Sequence, residues 1–91
     1  MTNRQAKALS LVSYYSLSGV LLPSEGTITL DKAKELVSEQ LEHLTHAKRV
    51  SELEYMGYRV GKTEQAVKNK HTKVLAMAFL KYEGRHDEFL H

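Results

Sequence analysis

LEYMGYRVGKTEQAVKNKHTKVLAMAFL, residues 53–80, is the stretch on which the fold of this 91-residue chain turns. It reads as a short helix, a tight break at Gly61-Lys62, and a longer basic helix opened by Thr63. Leu53, Met56, Gly57 and Val60 fall at i, i+3, i+4 and i+7, one face of a helix. Gly61 offers a stop that tolerates the left-handed conformation. Thr63 is placed to cap the next helix by accepting from backbone N–H groups two or three residues on. Ala66, Val67, Val74, Leu75, Ala78, Phe79 and Tyr82 form the apolar side of that helix, while Lys68, Asn69, Lys70, Thr72 and Lys73 fall largely elsewhere. From Tyr58 to Tyr82, six cations (Arg59, Lys62, Lys68, Lys70, Lys73 and Lys81) stand against Glu64 alone, whereas the whole chain carries a net charge of +2. Charge of one sign is therefore concentrated here.

Val60-Gly61-Lys62-Thr63-Glu64-Gln65-Ala66-Val67-Lys68-Asn69-Lys70 resembles the turn and second helix of a helix-turn-helix DNA-binding motif. In that pattern a small residue lies four before the turn glycine, as Gly57 does. An apolar residue lies just before the glycine and another six after it, matched by Val60 and Val67. The physical reason is a close helix crossing, locked by an apolar pair. Lys70 departs from the pattern, which usually has an apolar residue there, and glycine replaces the commoner alanine at 57. The resemblance covers about a quarter of the chain. It implies a small nucleic-acid-binding regulator whose contacts come from Arg59, Lys62, Thr63, Gln65, Lys68, Asn69 and Lys73. Gln65 and Asn69, four apart on one face, would read base edges while the cations meet phosphates. Readers of this type commonly place two recognition helices on successive grooves, so a homodimer is expected.

A second reading needs no nucleic acid. Tyr55, Tyr58 and Arg59 are residue types favoured at interface hot spots, and they fit a small helical adaptor or inhibitor that occupies a partner protein's surface. Small chains of this kind occur among phage and mobile-element proteins.

Before this stretch the chain reads as scaffold. Thr2 or Asn3 caps a first helix to about Ser18, with Ala8, Leu11, Val12, Tyr15 and Leu22 as its stripe and Leu9 and Leu17 widening it. Pro23-Ser24-Glu25-Gly26 is a turn, and the residues either side of it could pair as a minimal β-hairpin. Thr29 opens a second helix, with Ile28 and Ala33 as a hydrophobic staple and Asp31 in the first turn. Leu30, Ala33, Val37, Leu41, Leu44 and Ala47 give its core stripe, beside Leu36. With no glycine or proline between Gly26 and Gly57, the chain to about Val60 is either one helix or two with a bend near Lys48–Ser51. Gly84 closes the last helix. The expectation is all-α: three to four helices around one core, one domain over residues 1–84, and a short tail at 85–91.

Composition sets the remaining bounds. Apolar residues make up 42%, too many for a disordered chain, and there is no cysteine to form disulfides or thiolate metal sites. No apolar run is long enough to span a bilayer and no signal-peptide layout stands out, so a cytoplasmic protein without membrane contact is expected. Gly57-Tyr58-Arg59-Val60-Gly61-Lys62-Thr63 has three residues between its glycines where a phosphate-binding P-loop has four, and it lacks the preceding strand. His43 and His46, expected on one helix with Glu39 and Glu42 each four residues before one of them, read as a solvated face rather than a zinc site, since nothing nearby completes the ligand set. No nucleophile motif or carboxylate pair stands out. The sequence argues against an enzyme and implies no cofactor.

Overall fold

Among the described residues, four threonines start four helices. In the computed structural model, which describes residues 2–17, 19 and 28–83, the helices are α1 (Asn3–Tyr14), α2 (Leu30–Gln40), α3 (His46–Met56) and α4 (Glu64–Ala78). Thr2, Thr29, Thr45 and Thr63 precede them in extended backbone, and each hydroxyl accepts the N–H three residues on. Each cap satisfies a donor that the helix cannot, an effect of about 1 kcal/mol. Thr2 forms a full capping box with Gln5. Among the described residues there is no strand, and the chain is an all-α bundle. The hairpin expected around Pro23, the closing Gly84, the tail at 85–91 and the side chain of Tyr82 lie outside the described residues.

The segment between Thr29 and Gly57 is two helices, and their boundary is not at Lys48–Ser51. Those residues lie inside α3, and the break falls at 41–45. Two local bonds account for it. Thr45 caps α3, and Arg49 Nη2 donates to the Leu41 carbonyl at 3.0 Å, taking up an acceptor that the end of α2 leaves open. Ala47, expected in the core stripe, is exposed in the first turn of α3.

The two glycines exchange the roles their spacing suggested. Helix α3 stops at Met56, before Val60, because Gly57 takes φ 88° and ψ 21°, the left-handed conformation. The Gly57 N–H bonds to Glu54 O and the Tyr58 N–H to Leu53 O, the paired bonds of a Schellman stop. A Cβ at Gly57 would meet nothing within 4 Å, so this glycine serves backbone conformation and not close helix crossing. The close approach is at Gly61, where a Cβ would stand 3.0 Å from Ala66 Cβ.

Helix α4 is the hub. It packs against α1, α2 and α3, and it passes into a π-helical turn at Phe79–Glu83. Val67, Leu75 and Ala76 on α4 are fully buried with Phe79, against Val12, Leu17, Val37 and Leu53. Burying a large apolar side chain of this kind is worth about 1.5–3 kcal/mol. His71 and Thr72, which look polar in sequence, also face inward, while Ala66 is exposed. No helix among the described residues is long and apolar enough to cross a membrane.

Candidate functional site

Two polar features stand out, one inside the bundle and one on its surface. Inside, Glu52 of α3 joins three helices. Its Oε1 lies 2.7 Å from His71 Nε2 on α4, and its Oε2 accepts the hydroxyl of Tyr15, just past the end of α1. With Glu52 accepting from both, Nε2 carries the imidazole hydrogen. His71 Nδ1 is then a bare acceptor, buried and without a hydrogen-bond partner among the described residues. Burial lowers the His71 pKa from its ordinary 6.5, against the opposing pull of Glu52. Burial and the Glu52 bond together push the Tyr15 phenol above its ordinary value. These groups are occupied with one another, and their effect is to pin α1, α3 and α4 together. The sequence carried one signal for this: His71 lies four after Val67 and four before Leu75, on the apolar face.

On the surface, α4 turns outward along a single ridge. Gln65, Asn69, Lys73 and Met77 are spaced by four and all are exposed. The ridge lies in an open groove of about 1140 Å³. One wall comes from α2, with Asp31, Lys34, Glu35 and Ser38, and the other from α1, with Gln5 and Ala8. Of the residues the sequence singled out for nucleic acid, Gln65, Lys68, Asn69 and Lys73 come together in this groove, where Gln65 Nε2 donates to Asn69 Oδ1 at 2.8 Å. Arg59, Lys62 and Thr63 are exposed in the connection before α4 and do not line it, and the Thr63 hydroxyl is engaged as the cap. The groove adds residues the sequence did not single out: Lys34, Val74 and Met77. Val74 reads in the sequence as part of the apolar side of this helix, and the spacing of Met77, four beyond Lys73, points outward.

No protein-family model, curated protein or solved structure matches this chain.

What the groove can hold follows from its own side chains. Five lysines line it, at 34, 68, 70, 73 and 81, against Asp31 and Glu35. Both carboxylates have lysine neighbours on α2: Lys34 Nζ lies 3.8 Å from Asp31 and Lys32 Nζ 3.6 Å from Glu35. The balance favours an anion. Lys70, the motif's polar exception, has a structural task as well. Its Nζ donates to Arg59 O at 2.9 Å and lies 5.4 Å from the centroid of the Tyr58 ring, tying the connection to α4. That connection runs from Gly57 to Thr63, longer than the three or four residues that join the helices of a helix-turn-helix.

The tyrosine corner divides. Tyr58 is half-buried, with Arg4 4.4 Å from its centroid, and Arg4 also donates to Gly57 O at 3.0 Å. Tyr58 is thereby committed to the fold. Arg59 is exposed. Tyr55 is 49% exposed and Tyr14 is 73% exposed. The Ser10 hydroxyl of α1 is 3.5 Å from the Tyr55 hydroxyl, and Tyr14 lies four residues beyond Ser10 on the same helix.

Proposed function

We propose that this chain is a small nucleic-acid-binding regulatory protein whose contact surface is the outward ridge of α4. The observation that supports this best is the placement of Gln65, Asn69 and Lys73 in a groove where lysines outnumber carboxylates. The lysines would meet phosphates, and the amides of Gln65 and Asn69 would face bases. The bond between the two amides engages the Gln65 amino group and the Asn69 oxygen, which leaves the Gln65 oxygen and the Asn69 amino group for a ligand. The proposal rests on this groove and not on the helix-turn-helix spacing, from which the connection departs. The test is an anisotropy titration on mixed-sequence nucleic acid at low and moderate salt, wild type against Lys68→Ala/Asn69→Ala/Lys73→Ala. The triple variant should fold normally, since alanine favours the helix and no buried residue is touched. Loss of two cations should flatten the salt dependence by up to about two units. Absence of wild-type binding at low salt would remove the proposal.

A second reading has its own support. Tyr14 and Tyr55 are both exposed, and aromatic residues of this kind are favoured at protein interfaces. Under that reading the chain is a small adaptor or inhibitor. Its binding would weaken little with salt, and it would be lost in Tyr14→Ala/Tyr55→Ala while surviving the α4 triple variant.

A further inference from the structure

We infer that the groove over α4 takes a single nucleic-acid strand in preference to a duplex, an inference that rests on the nucleic-acid reading of the same surface. The reason is the shape of the surface around the ridge. A helix that reads duplex DNA must stand clear of its neighbours to enter a major groove about 12 Å wide. Helix α4 does not stand clear: α1, α2 and α3 all pack against it, and its outward ridge lines one open concavity together with residues of α1 and α2.

The α2 wall also carries two carboxylates, which a rigid double helix would have to meet. Asp31 and Glu35 stand on α2 beside Lys34. A duplex lowered onto the ridge would bring a fixed phosphate rail against these carboxylates. A flexible strand can route its phosphates along Lys34, Lys68 and Lys73 and pass the acids by.

The groove supplies what an unpaired base needs. Beyond the amides of Gln65 and Asn69, the half-buried Val74 and the exposed Met77 continue it as an apolar surface, while Ala8 and Ala78 beside them are buried in the core. Met77 is 42% exposed there. A large apolar side chain held open between lysines does nothing for a phosphate, but it gives the face of an unstacked base something to cover. Base faces are shielded inside a duplex and open in a strand, so this half of the groove has a ligand only if the strand is single. The combination of lysines along the groove, amides at one end and a thioether at the other matches the three chemical faces of a nucleotide chain.

The experiment uses one mixed-sequence oligonucleotide, fluorescein-labelled, offered to the full chain as single-stranded DNA, as single-stranded RNA and annealed to its complement. The single strands should bind at least about tenfold more tightly than the duplex, a difference of about 1.4 kcal/mol. Met77→Gln, a neutral change at an exposed position that leaves the core intact, should weaken strand binding about tenfold and change duplex binding little, with helicity checked by circular dichroism. Met77→Ala should show the same preference in a smaller degree. Duplex bound as tightly as strand, or Met77→Gln without effect on the strand, would overturn this inference and leave the proposed function standing. Binding of neither form at low salt would overturn both. Tight binding of an acidic peptide in place of nucleic acid would do the same, and it would reassign the groove lysines to a protein partner.

Discussion

Glu52 and His71, 19 positions apart in the chain, meet at 2.7 Å in the interior of the bundle. Tyr15 adds a second bond to the same carboxylate from 37 positions away. Removing the shared member should therefore cost more than removing either partner. Glu52→Ala strands a buried imidazole donor and frees a phenol, and it should destabilise by about 3 kcal/mol or more. Tyr15→Phe should cost about 1 kcal/mol, since Tyr15 is only half-buried and one oxygen of Glu52 keeps its partner. Urea unfolding of the two variants beside wild type measures the order directly.

The same pair makes stability depend on pH with a definite sign. Burial holds the His71 pKa below 6.5, so as pH falls past that value the unfolded chain takes up a proton that the folded chain resists. The contribution is complete above the unfolded value and is lost on acidification, by up to about 1.4 kcal/mol per pH unit while the two states differ by one proton. Glu52 opposes this loss and Arg49 adds to it. His71→Gln keeps a donor for Glu52 but has no such titration. Thermal melts between pH 7 and pH 5 should fall more steeply for wild type than for His71→Gln. Parallel curves would mean that other groups set the acid sensitivity.

Gly57 and Gly61 predict two alanine variants with different remedies. Gly57→Ala forces a side chain into left-handed backbone and should cost about 1–2 kcal/mol, with no neighbour to relieve it. Gly61→Ala brings a Cβ against that of Ala66, so its cost should fall when Ala66→Gly is added. A double-mutant cycle should show coupling of at least about 0.5 kcal/mol between 61 and 66 and none between 57 and 66.

Lys70 should stand apart from the other lysines of α4. Lys70→Ala removes the bond to Arg59 O and the contact with Tyr58, and it should cost about 1 kcal/mol and speed hydrogen exchange in residues 57–61. Lys68→Ala and Lys73→Ala should leave stability nearly unchanged. Equal effects at the three sites would show that the tie at Lys70 does not hold the connection.

What could be read in the sequence was local. Thr29 and Thr63 were legible as helix starts, and the first start as Thr2 or Asn3, because a cap involves residues two or three apart. The all-α class and the buried Val67, Leu75 and Phe79 followed from periodicity. The break at 41–45 was hidden because Arg49 must reach back to the Leu41 carbonyl, and no period reports that. Gly57 and Gly61 could not be told apart by spacing, since one answers to its own dihedral angle and the other to a neighbour across the turn. The spacing of His71 from Val67 and Leu75 places it on the apolar face, but its partner Glu52 comes from another helix and no period reports that. For the candidate site, the outward residues of α4 were legible and the walls were not, because α1 and α2 reach that face only through packing.

The four threonine caps have a consequence for how this chain finds its structure. Each helix start is held by a bond spanning three residues, so every helical register can be established before distant segments meet. The long-range polar step is the assembly of Tyr15 and His71 on one carboxylate. Loop closure and docking, not the search for helix registers, should then set the folding time, as in other chains dominated by local contacts. The carboxylate acts as a proofreading point: a helix docked one turn out of place leaves Glu52 buried without its donors, and that arrangement is rejected by its own cost.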